Sequence, residues 1–194
     1  MRARVPGKRS RTSTSTYWQA LIRSPASRHA AVFSSLTITP ATAEDIPALI
    51  TLAANAFGDA VRPLAVTEFP TGLQAGTRSP LVLLVAKQAG SPIGMVGLLQ
   101  DFTYPDTYCL SWLAVAHAYR RQGLGTALIH AALQAAGVLI SGSVGTVILA
   151  TSESNRAYYT RHGFTGGTPL HAHPHHPEPH VLLALPITKA VPQS

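Results

Sequence analysis

Leu113-Ala114-Val115-Ala116-His117-Ala118-Tyr119-Arg120-Arg121-Gln122-Gly123-Leu124-Gly125-Thr126-Ala127-Leu128 decides how this chain is read. An apolar strand ends at Val115, a loop with two arginines follows, and two glycines open a helical pattern. That order builds an anion site. Glycine lets a ligand approach the backbone, the free N–H groups of a first helical turn point outward with the positive end of the helix dipole, and arginines add full charge. It is not a P-loop, because no Gly-Lys-Ser/Thr follows, and not a dinucleotide fingerprint, because Leu128 stands where the third glycine would be. Taken alone, the segment also fits a tight turn with solvated arginines.

Downstream, the 31 residues between Arg121 and Glu153 hold no formal charge, which raises the question of a membrane span. The pattern argues for a soluble helix instead. Gln122, Thr126, His130 and Gln134 recur every four residues on one face, while Leu124, Leu128, Ile129, Ala132 and Leu133 fill the others. The helix is predicted over Gln122 to Ala136 and Gly137 is expected to stop it. Ser141, Gly142, Ser143 and Gly145 read as a loop before a buried strand over Thr146 to Ala150.

Working outward, Leu36 to Thr39 reads as a strand, and Thr42 with Asp45 forms a capping box for a helix reaching about Ala56. Pro63 to Gln74 is a weaker helix. Leu81 to Lys87 and Pro92 to Gln100 are strands joined by Gln88-Ala89-Gly90-Ser91, and Thr107 to Val115 is a third; the three should pair antiparallel. A short helix (Asn155 to His162) and a last strand (Val181 to Pro186) complete the order. The expected fold is α/β or α+β, a mixed and mostly antiparallel sheet with helices on both faces.

Composition narrows the setting. The chain has 194 residues, 46% of them hydrophobic, so one or at most two domains fit. A single cysteine, Cys109, permits no internal disulfide and points to a reducing, cytoplasmic setting. Of 15 Lys and Arg residues, seven lie in residues 1–36 with no acid, and the remaining eight balance eight Asp and Glu. The basic isoelectric point therefore belongs to the head, and no nucleic-acid face is expected on the folded part. Residues 1–35 read as a basic extension, with a mitochondrial transit peptide (Tyr17 to Phe33 as an amphipathic helix) or a phosphate-touching arm as alternatives. Residues 36–188 read as the domain and 189–194 as a tail.

One strand further on, Asn155-Arg156-Ala157-Tyr158-Tyr159-Thr160-Arg161-His162-Gly163-Phe164 changes the weight of the glycine turn. Together the segments resemble the GCN5-related N-acetyltransferase (GNAT) superfamily. Arg120, Gly123 and Gly125 match its Arg/Gln-x-x-Gly-x-Gly/Ala turn; Asn155, Tyr159, Gly163 and Phe164 match the second motif; the likeness covers about residues 36–187. The resemblance implies acetyl-CoA as cosubstrate with no metal. The diphosphate would be held by Arg120, Arg121, Gln122, Gly123, Leu124, Gly125 and Thr126, and the pantetheine arm by Asn155 and the main chain of Leu113 and Val115. Tyr159 would give a proton to the departing thiolate while Tyr158 points into the core. His117 replaces a usual proline. The partner implied is a small-molecule or peptide amine, and a homodimer is compatible.

An amine of pKa near 10.4 is only about one part in two thousand neutral at pH 7, so some group must take its proton. Thr107 to Trp112 offers no acid. Glu153, Asp101, Asp106 or a histidine remain, the last from the tract His171, His173, His175, His176 and His180, which also reads as a polar loop with metal affinity. Cys109 fits a buried hydrophobe better than a nucleophile. Two functions stay open: N-acetyltransfer by direct attack of an amine, and a non-catalytic acyl-CoA-binding module.

Overall fold

The computed structural model describes residues 36–74, 81–170 and 178–190. The basic head, four of the five tract histidines and the last four residues lie outside them. Seven strands form one sheet in the order β1-β2-β3-β4-β5-β7-β6: β1 (Leu36–Pro40), β2 (Leu81–Gln88), β3 (Ser91–Gln100), β4 (Thr107–Val115), β5 (Val144–Ser152), β6 (Thr165–Leu170) and β7 (His180–Thr188). All neighbours pair antiparallel except β4 and β5. The β2–β3 hairpin turns on Ala89 and Gly90, both at positive φ (48° and 82°), as a two-residue turn of matching twist requires.

Four helices cover the sheet: α1 (Ile46–Phe57), α2 (Arg62–Gln74), α3 (Leu124–Leu139) and α4 (Glu153–Thr160). The Thr42 amide donates to the Asp45 carboxylate (2.9 Å), which also meets Lys87 Nζ of β2 at 2.7 Å. The cap of the first helix is thereby tied to the sheet. Strand alternation splits the core in two. Leu84, Val96, Leu98 and Leu110 face α3 and α4 with Leu128, Ile129 and Phe164, while Leu83, Val85 and Met95 face α1 and α2 with Leu49 and Phe69.

Three expectations need correction. Gly137 does not end α3, which runs to Leu139; a Cβ there would meet the Thr188 carbonyl at 3.2 Å, and the Gly137 carbonyl accepts the Ala190 amide (2.9 Å). The glycine serves close packing of the helix on the end of β7. Gly145 belongs to β5, where a Cβ would lie 2.6 Å from the Asp106 carbonyl and 2.5 Å from the Ile140 side chain. The loop is correspondingly shorter. Finally, Thr165-Gly166-Gly167-Thr168-Pro169-Leu170 is an edge strand that sequence reading left out.

Candidate functional site

The parallel ladder between β4 and β5 is short. It joins Thr107 to Thr146, Tyr108 to Val147 and Cys109 to Ile148, and then stops. Beyond Cys109 the two strands diverge, so the main chain from Leu110 to Val115 faces a gap on the β5 side. The cause lies in β4 itself. Its register against β3 shifts between Met95 and Gly97, and opposite that shift Trp112 adopts φ 51°, a left-handed conformation a tryptophan rarely takes. The bulge places Ser111 and Trp112 on the same face, so Leu113 and Val115 pack against the α3-side core while Trp112 packs on the α1/α2 side.

The gap runs into the glycine turn. After β4, His117 to Tyr119 form one 3-10 turn, and Arg121 (φ 60°) and Gly123 (φ 87°) both sit in the left-handed region before α3 begins. The first amide to close the helix is that of Ala127, to the Gly123 carbonyl at 3.0 Å. Amides from Arg121 to Thr126 make no backbone hydrogen bond among the described residues. They form a row of donors at the positive end of a 16-residue helix. A Cβ built on Gly123 meets nothing within 4 Å, so the approach to this row is open. Arg120 bends back, its Nε donating to the Val115 carbonyl (3.0 Å), and Gln122 Nε2 donates to the Ala118 carbonyl (2.8 Å). The first bond pins the turn to β4 and the second ties it to the 3-10 turn. Arg121 is exposed.

Helix α4 closes the other side. Asn155 is exposed in its first turn. Tyr158 is half-buried against the α3-side core, and its hydroxyl engages the Thr126 side chain and lies 2.7 Å from where a Cβ on Gly125 would be. Burial raises its pKa, and the Thr126 bond only partly offsets that. Tyr159 packs edge-on against Phe164 and Tyr158, at 6.1 and 5.2 Å between ring centroids. Burial, with a smaller contribution from Tyr158, pushes its pKa up to about 12. The phenol therefore stays protonated at any working pH.

Two acids weighed as proton acceptors are elsewhere. Asp106 precedes the first residue of β4 and accepts from the Ser141 amide (2.6 Å), the Ser141 hydroxyl (2.8 Å) and the Gly142 amide (3.1 Å), which hold its carboxyl below the usual range. Asp101 accepts from the amides of Thr103 and Tyr104, both at 2.8 Å. Both fix loops at the far end of a nine-residue strand, about 25–30 Å from the turn. Glu153, at the exit of β5, is ion-paired to Arg156 at 3.0 Å on the surface. Burial raises the Cys109 thiol, as suits an inert side chain. His180 lies in β7, its Nδ1 2.7 Å from the Glu178 carbonyl. Among the described residues no three His, Cys, Asp or Glu side chains gather as a metal site, and no helix is long and apolar enough to cross a membrane.

One carboxylate went unnoticed in the sequence. Glu68 of α2 reaches β4 and accepts the Trp112 indole N–H at 3.0 Å. The residues of β4 carry no signal of an acid delivered from a helix across the sheet face.

Acetyltransferase (GNAT) domains match residues 79–166 of the chain, the stretch that includes the splayed strands, the turn and α4. Among solved structures, the chain resembles an acyl-CoA N-acyltransferase from Pseudomonas aeruginosa (25% identity, TM-score 0.61, 77% of this chain and 99% of that one). It also resembles a protein assigned to the GNAT acetyltransferases from Desulfovibrio desulfuricans (19%, TM-score 0.65, 78% and 98%). A third is the ribosomal-protein-S18-alanine N-acetyltransferase from Escherichia coli (22%, TM-score 0.61, 80% and 96%). The last two likenesses are of fold alone. No curated protein is significantly similar in sequence. The domain match falls on the same turn, gap and helix that the geometry singles out, and together with the solved structures it supports a GNAT acetyltransferase domain over residues 79–166.

Proposed function

We propose that the protein transfers the acetyl group of acetyl-CoA to an amine by direct attack, a C–N bond forming as the thioester C–S bond breaks. The observation behind this reading is the gap between β4 and β5, which leaves strand backbone unpaired and leads to the row of free amides at Arg121 to Thr126. A diphosphate suits those amides and the dipole behind them. An extended arm suits the main chain of Leu113 and Val115, and Asn155 at the start of α4 would hold it from the other side. A cytoplasmic location goes with this reading.

Tyr159 is the proposed donor to the sulfur. With its pKa near 12 and a free thiol near 8.5, complete proton transfer would be uphill by about 5 kcal/mol. A hydrogen bond donated as negative charge develops on sulfur is the more fitting role, and it depends on position more than acidity. A thiol-release assay over amines, polyamines, aminoglycosides, amino acids and peptide N-termini tests the reading. Tyr159→Phe should slow release by about a hundredfold, and the wild-type rate should not fall with Tyr159 deprotonation below about pH 10. CoA binding with no thiol released to any amine would favour the non-catalytic acyl-CoA-binding module, a reading helped by Asp101 and Asp106 lying at the end of β4 away from the glycine turn.

A further inference from the structure

Glu68 stands apart from the other carboxylates of the described residues. Asp45, Asp59, Asp101, Asp106 and Glu153 are each held by a cation or by backbone amides. Glu44 and Glu178 are exposed. Glu68 is half-buried, and its only partner among the described residues is the Trp112 indole, which occupies Oε2 and leaves Oε1 with no bond. Among the described residues no cation neutralises it. Its second oxygen, half-buried beside the indole, is placed to accept from a cationic donor.

Its position adds to this. The indole that holds it belongs to the one residue of β4 in the left-handed region, at the bulge against β3. The contacts around its ring are aromatic: Phe69 meets Trp112 edge-on at 5.0 Å and Phe57 at 5.9 Å. Phe69 is fully buried, but Phe57 is 43% exposed, so the Trp112 and Phe57 rings form an apolar edge with a wet side. Trp112 directly precedes Leu113, whose main chain borders the gap. A carboxylate, two rings and the proposed thioester position thus converge on one bulge.

We propose that Glu68, Trp112 and Phe57 form the acceptor's ammonium subsite, and that the acceptor is a cationic primary amine carried on an apolar or aromatic body. The ammonium donates to Glu68 Oε1 while the rings contribute cation–π attraction and cover the adjoining carbon chain. Anionic and neutral acceptors meet an unpaired carboxylate here and are rejected. The inference rests on the acyl-transfer reading for its meaning, but its binding test does not.

The chain has two tryptophans, so Trp18→Phe leaves Trp112 as the sole indole reporter. Phenethylamine titrated into this protein should change Trp112 emission saturably, and phenethyl alcohol and 3-phenylpropanoate should not. Glu68→Gln keeps an oxygen for the indole and loses only the charge. It should weaken phenethylamine at least about tenfold while leaving the melting temperature and CoA affinity as they were. No response to phenethylamine, equal responses to amine and alcohol, or undiminished binding by Glu68→Gln would each overturn the proposal. Failure to bind CoA, with amine binding intact, would instead strike the acyl-transfer reading.

Discussion

Gly125 has no room for a methyl group, because the Tyr158 hydroxyl already occupies the space 2.7 Å from where its Cβ would be. The family pattern allows glycine or alanine at this position; this chain, having placed a tyrosine against the turn, requires glycine. Gly125→Ala must displace the Tyr158 hydroxyl from that space, at a cost of about 1–3 kcal/mol. In a Tyr158→Phe background, which lacks the offending oxygen, the same substitution should cost clearly less, and urea unfolding of the four proteins measures the difference. Equal costs in both backgrounds would mean that the tyrosine does not set the glycine. Gly123 is glycine for another reason: space is open around it, and its φ of 87° is what a side chain would resist.

At the scale of elements, the site is made by two irregularities, the bulge in β4 and the early end of its pairing with β5. Most elements were legible from periodicity and turn chemistry: β1 to β5, the four helices and the antiparallel meander all lie within a few residues of their expected bounds. The glycine turn was legible too, because backbone freedom and charge are written in residue types. The bulge was not, since tryptophan carries no signal for a left-handed conformation and the ladder with β3 imposes it. Strand β6 was hidden by its glycines and proline; β7 supplies its hydrogen bonds whatever the side chains prefer. The first helix offers a stability test at this scale. Burial alone would raise the Asp45 pKa, but the Lys87 ammonium and the Thr42 amide outweigh it and hold it below the usual carboxylate range. A depressed folded-state pKa contributes stability above about pH 4 that is lost as pH falls through the lowered value. Asp45→Ala should therefore cost about 3 kcal/mol at pH 7, and the urea midpoints of wild type and variant should converge in acid. A gap that stays constant with pH would deny the ion pair that role.

Across the whole molecule, the sheet divides labour between its faces. The α3/α4 face gathers the turn, Tyr158 and Tyr159, while the α1/α2 face presents Glu68, Trp112 and Phe57. The splayed strands lie between them, so a coenzyme entering from one side and an amine from the other would meet at the bulge. Charge distribution agrees with small-molecule partners, since seven of the 15 basic residues lie in residues 1–36 and the rest of the chain is balanced. The central claim is that the amides from Arg121 to Thr126 hold the coenzyme's diphosphate. Isothermal titration of acetyl-CoA into wild type and Gly123→Asp, which sets a carboxylate in the row of amides, tests it most directly. The account predicts saturable binding by the wild type and a loss of at least about a hundredfold in the variant. No heat with well-folded wild type, or equal affinity in the two proteins, would contradict it.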